Sequence, residues 1–152
     1  MKEQIAFYVL AACQKAPQAV LDEIRTSDTI DETNSGEGPR EQCPLYDFIE
    51  LASHDKLSSL DDVLADLRQR SADTSRGTQW DASHFVVAGH EANANPSVVV
   101  FYELSEKGDV QGQLKCTAPM VLDPACNIPI ANMDLEEFQD ACGQDGIFRG
   151  FQ

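Results

Sequence analysis

The sequence predicts an α+β domain, with N-terminal helices packed on a small, mostly antiparallel sheet, a closing C-terminal helix and a docked tail. Three observations lead there. Apolar residues in the first half recur at helical spacing, the period turns strand-like after Trp80, and a capping pattern at Asp134 restarts a helix.

Ile5, Val9, Ala12 and Cys13 fall on one face at helical spacing, so residues 5–13 read as a first helix. The early acid Glu3, and the poor cleavage site that Pro17 would make, argue that this stretch is structure rather than a secretory leader. The chain is therefore expected in the cytoplasm. Pro17 suits the first position of a second helix, whose stripe is Val20, Leu21 and Ile24. Residues 27–42 are polar and acidic, with Gly36, Gly38 and Pro39, and read as a mobile acidic surface loop. Pro44 then opens a helix carrying Leu45, Phe48, Ile49 and Ala52. Ser59 is an N-cap, followed by Leu60, Val63, Leu64 and Leu67 at helical spacing, with Arg68 and Arg70 at the negative end of the dipole. Residues 71–79 form a polar linker.

Beyond Trp80, residues 84–88 make a short apolar strand, and Val98 to Leu104 a longer one that is apolar on both faces. Val110, Gly112, Leu114 and Cys116 alternate with polar residues, so residues 98–117 read as a hairpin turning at Gly108. Pro119, Pro124 and Pro129 leave room only for short edge strands. Asp134 and Glu137 form a capping box, Met133 and Phe138 a hydrophobic staple, and Gly143 stops the helix. Phe148 and Phe151 imply a docked tail, since burial of each is worth about 2 kcal/mol.

The 152 residues are one ordinary domain in length, and 42% apolar with 24% charged residues is globular rather than disordered composition. No apolar run approaches the ~20 residues of a membrane helix. Five cysteines, an odd number without a CxxC pair, fit free thiols in a reducing compartment better than a disulfide scaffold or a zinc site. The net charge of −15 is the least ordinary property. It repels a nucleic-acid backbone and an anionic membrane, and attracts a basic protein.

Chemistry-bearing motifs are sparse. No glycine-rich phosphate loop, nucleophile elbow, HExxH or EF-hand spacing occurs, and no cofactor is expected. His84 and His90 share strand parity and could meet Cys116 of the hairpin in a metal or Cys–His site, but Gly89 interrupts the strand and no fourth ligand is evident. Cys43, before Pro44, would sit near a helix N-terminus that lowers its pKa. The carboxylate pairs Asp22/Glu23, Asp61/Asp62 and Glu136/Glu137 are adjacent on helices and diverge.

The segment Ala131-Asn132-Met133-Asp134-Leu135-Glu136-Glu137-Phe138, with residues 145–151 (DGIFRGF), is more specific. It resembles the C-terminal signature of a family of small uncharacterised bacterial and fungal proteins, a domain of unknown function. That resemblance implies a small α/β domain and carries no catalytic residue over. Arg149, between two phenylalanines, is expected to pair with Asp134 or Glu137 and clamp the tail.

The expected function is that of a non-enzymatic interaction module, comparable to an immunity protein, antitoxin or inhibitor, that binds a basic protein. Its candidate binding residues are Asp28, Asp31, Glu32, Glu37, Glu41 and Arg149. The alternatives are an enzyme or enzyme accessory with a site beside the sheet, and a structural subunit.

Overall fold

The computed structural model describes residues 2–35, 37–75 and 77–151, without the side chains of Lys2 and Thr78. The fold is α+β. A six-stranded sheet has the order β2-β1-β3-β4-β5-β6, built from β1 (Lys2–Val9), β2 (Ile49–Leu51), β3 (Thr78–Ala88), β4 (Val98–Leu104), β5 (Val110–Thr117) and β6 (Ile147–Phe148). Five helices cover it: α1 (Pro17–Ile24), α2 (Asp28–Thr33), α3 (Leu60–Ser71), α4 (Leu122–Asn127) and α5 (Leu135–Asp140).

The first expected helix is instead the strand β1. Ile5, Ala6, Phe7, Tyr8 and Val9 are all buried. Such a continuous apolar run suits a strand covered on both faces. Ile5, Phe7 and Val9 enter one core, Ala6 and Tyr8 the other. The helix expected from Pro44 is also replaced: a series of turns leads into β2, which lies parallel to β1 with Ile5 opposite Ile49. The sheet is mixed rather than mostly antiparallel. β1 runs parallel to both β2 and β3, β6 runs parallel to β5, and the β3–β4 and β4–β5 pairs are antiparallel. The parallel pairs follow from placing β1 between two strands reached through helical crossovers.

Those crossovers cover opposite faces. Val20, Leu21 and Ile24 of α1, Ile30 of α2, Leu122 and Ala125 of α4, and Phe138 of α5 share the core with Ile5 and Phe7. Val63 and Leu67 of α3 pack on the other face with Tyr8, Trp80 and Phe85. There the Tyr8 hydroxyl donates to Asp66 Oδ2 (2.8 Å), which also receives Arg70 Nε. Burial first, then the Asp66 hydrogen bond and charge, push the Tyr8 phenol far above its ordinary pKa.

The α3 helix and the 98–117 hairpin form as expected, and Ser59 caps α3 by accepting from the Asp62 amide (3.2 Å). α5 carries the expected capping box, in which Asp134 accepts from the Glu137 amide and Glu137 from the Asp134 amide. Three further expectations change. Residues 27–42 hold α2 and a 3-10 turn (Arg40–Gln42), although Gly36 lies outside the described residues. The proline-broken segment folds as a 3-10 turn (Ala118–Met120) and α4, with Pro124 in the first helical turn, where a missing amide costs little. α5 ends at Ala141 in right-handed conformation, so Gly143 is not its left-handed stop. Among the described residues, no helix is long and apolar enough to cross a membrane.

Candidate functional site

The sequences of α1, α2, α4 and α5, the helices on one face, contain no Lys or Arg. They contribute Asp22, Glu23, Asp28, Asp31, Glu32, Asp123, Glu136, Glu137 and Asp140. The cations that reach this layer come from loops and turns, and each is spent on a carboxylate. Lys15 pairs with Glu23 (3.5 Å), Arg25 with Glu50 (2.8 Å), Arg40 with Asp31 (2.6 Å) and Arg149 with Asp145 (2.7 Å). Asp28, Glu32, Glu136, Glu137 and Asp140 are exposed and, among the described residues, make no ion pair.

The centre of this face is built from α2 and the tail. Buried Ser27 caps α2 by accepting from the Thr29 amide (3.2 Å), and Asp28 and Asp31 occupy the first turn, where the dipole favours acids. Ile30 anchors the helix in the core, which turns Asp28 and Glu32 to solvent. Thr29 Oγ1 donates to Asp123 Oδ1 (2.7 Å) and ties α2 to α4. From the other side comes the tail. Phe148 is fully buried edge-on to Phe138, and Phe151 packs 5.2 Å from both rings while staying 53% exposed. Together Asp28, Glu32, Met120, Asp123, Arg149 and Phe151 line an open groove of about 340 Å³.

Three of the predicted binding residues, Asp28, Glu32 and Arg149, thus converge. Asp31 is held by Arg40, whose Nη2 also donates to the carbonyls of Arg25 (2.8 Å) and Ser27 (3.2 Å). Glu37 and Glu41 are exposed outside the groove. Arg149 pairs with neither Asp134 nor Glu137. It makes a two-pronged contact to Asp145 (3.1 and 2.7 Å), and that hydrogen bond, followed by one from the Ile147 amide, holds the Asp145 carboxyl at about 2. Sequence reasoning missed Asp123 of α4 and Met120 of the 3-10 turn before it, because the prolines of this segment suggested short edge strands.

The other predicted residues do not come together. His84 lies opposite Glu103 and Cys116 opposite Val99, four residues apart along β4. At about 3.3 Å per residue that is roughly 13 Å. His90 is exposed on a 3-10 turn, and Cys116 is fully buried with its Sγ donating to the Leu114 carbonyl. Burial pushes the Cys116 thiol well above its ordinary pKa. Cys43 is buried, and the helix N-terminus that would have activated it does not form. Among the described residues, no three His, Cys, Asp or Glu side chains could hold a metal.

His84 is nevertheless well defined. Nδ1 faces Asp81 Oδ1 (3.1 Å), Nε2 faces Glu103 Oε2 (3.2 Å), and the ring stacks on Phe101. Burial opposes the imidazolium, but the bonds and charges of Asp81 and then Glu103 outweigh it and raise the pKa. With both nitrogens facing carboxylates, which favour its protonated form, His84 is a strut from β3 to β4.

The C-terminal ends of β1 and β3, where doubly wound sheets bind ligands, are filled by side chains. Lys15 Nζ donates to the Ala94 carbonyl (2.7 Å), Asn95 Oδ1 (3.0 Å) and Ser97 Oγ (2.6 Å), while Glu23 accepts from the Ser97 amide (3.0 Å) and hydroxyl (2.6 Å). Asn93 bridges to the Gln14 amide and the Ala12 carbonyl, and Lys56 to the Cys13 carbonyl. These bonds fasten the loops to one another.

No curated protein and no solved structure matches the chain. A family model described as Domain of unknown function (DUF6924) matches residues 14–151, a span that takes in every helix and all strands but β1. The chain belongs to that family.

Proposed function

We propose that this chain is a non-enzymatic, cytoplasmic protein-interaction module, of the immunity-protein, antitoxin or inhibitor kind, that presents its anionic helical face to a basic protein. One observation carries the reading. The four helices on one side of the sheet hold nine carboxylates and no Lys or Arg. Scattered acids would serve solubility alone; a face whose helices carry only acids, with its loop cations already paired, keeps a negative excess that steers a basic partner and raises its association rate. The groove at the centre adds shape to charge. Asp28, Glu32 and Asp123 would accept a Lys or Arg side chain, and Met120 and Phe151 would cover its aliphatic stem.

Affinity capture from the native cell tests this. Wild type and an Asp28→Lys/Glu32→Lys variant are compared at about 50 mM and about 500 mM salt, where screening lengths differ roughly threefold. Expected is a basic protein bound by the wild type at low salt, released at high salt and not retained by the variant. Capture that ignores both salt and charge reversal would overturn the proposal.

A further inference from the structure

Among the described residues, the face covered by α3 holds cations with no partner. Of the Lys and Arg side chains described, Lys15, Arg25, Arg40, Arg70, Lys115 and Arg149 pair with carboxylates, and Lys56 donates to a carbonyl. Among the described residues only Arg68 and Lys107 have neither kind of partner, and both line the same cavity. They come from elements far apart in sequence, the last turn of α3 and the turn between β4 and β5.

Local structure holds them there. The Ser105 carbonyl accepts from the Gly108 amide (2.9 Å) and the Asp109 carbonyl from the Ser105 amide (2.7 Å), so the turn bearing Lys107 is fixed. Gly108 has φ +87°, and a Cβ there would lie 3.8 Å from Arg68 Nη2, so the guanidinium rests against this turn. The floor is apolar, from Leu64, Leu67 and Leu104, and Ser71 adds a hydroxyl. Glu106 also lines the cavity without an ion pair to either cation, which leaves a local charge of one positive.

We infer that this cavity binds a small organic monocarboxylate with a compact apolar body. Arg68 supplies a planar fork matched to a carboxylate, and Lys107 a second charge. The leucine floor favours an anion with an apolar body over inorganic phosphate, which would leave that surface unfilled. The cavity is about 200 Å³. An apolar cavity of ~150 Å³ takes up benzene, so a ring plus a carboxylate is near the upper size.

Benzoate, benzamide and inorganic phosphate are titrated separately into the full chain at about 0.15 M salt, near the physiological screening length, and followed by amide NMR. Expected is saturable binding of benzoate, with shifts centred on Ser71, Leu104 and Gly108. Benzamide, which keeps the ring but loses the charge, and phosphate, which keeps charge but loses the ring, should bind at least about tenfold more weakly. Arg68→Gln and Lys107→Gln, both at exposed positions, should each weaken benzoate by about tenfold. Lys115→Gln, which removes the same charge elsewhere, should leave it unchanged. Benzoate shifts that stay linear to about 10 mM, or saturable binding unaltered in the Arg68→Gln/Lys107→Gln double variant, would overturn the inference.

Discussion

Phe148 and Phe151 look equivalent in sequence, two aromatics on either side of Arg149-Gly150, yet the structure separates their contributions. Phe148 is fully buried, opposite Cys116 in the β5–β6 pair and edge-on to Phe138 at 5.2 Å. Truncation to Ala loses transfer energy and leaves a cavity in the core shared by α1, α2, α4 and α5, for a cost of about 4 kcal/mol. Phe151 is 53% exposed. Its half-burial is worth about 1 kcal/mol, and the two ring contacts add only a few tenths beyond that. Urea unfolding of Phe148→Ala and Phe151→Ala measures both. With a slope of about 2 kcal/mol/M, the midpoint should fall by about 2 M for Phe148→Ala and about 0.5 M for Phe151→Ala. The double variant should fall short of additivity by roughly a few tenths of a kcal/mol, because the rings touch each other. Equal midpoint shifts, or a larger loss at Phe151, would refute the account of how the tail is docked.

The His84 strut predicts a pH dependence of known sign. Its folded pKa is raised, so its stabilising contribution is complete below the unfolded value of about 6.5 and disappears as pH rises through the folded value. Urea midpoints of wild type and His84→Gln should differ most in mildly acidic buffer and converge in alkaline buffer; a gap that widens with pH contradicts the pairing. Gly112 is a site of close approach, where a Cβ would come within 2.3 Å of Leu135 Cδ2. Gly112→Val should force the Leu135 side chain out of its place and cost about 1–3 kcal/mol by overpacking, measured as a thermal shift, whereas a neutral result would place Leu135 elsewhere. Burial pushes the Cys126 thiol up to about 12 and raises Cys142 as well as Cys116. A thiol reagent near neutral pH should therefore label these three slowly in the native protein and at once in denaturant, and fast native labelling of Cys116 would show that its site opens.

Local signals were read correctly where one chemistry dominates. The Ser59 cap with four leucine-type positions, the Asp134–Glu137 box and the strict alternation at 110–117 each specify an element without help from the rest of the chain. The failures share one cause. A run such as Ile5 to Val9 satisfies helical spacing and also suits a strand buried on both faces, and only the helices that come later in the chain decide between them. Pro44 marked a helix start by local rule, but the three residues of β2 gain a parallel ladder against β1, a contact separated by more than forty residues. The same distance hid the site. The acids of the anionic face are spread from Asp22 to Asp140 and look like solubility charge until α1, α2, α4 and α5 fold onto one side. Asp28, Glu32 and Arg149 were legible as candidates, whereas their groove was not, because Asp123 and Met120 complete it from the proline-rich segment.

The most direct test of the central claim is the affinity for the captured partner across a salt series. The anionic-face account predicts that binding weakens steeply as ionic strength rises, by about tenfold or more between 50 and 300 mM, mostly through a slower association rate, with a much shallower slope for Asp28→Lys/Glu32→Lys. An affinity that is flat across the series, and equal in wild type and variant, would contradict it.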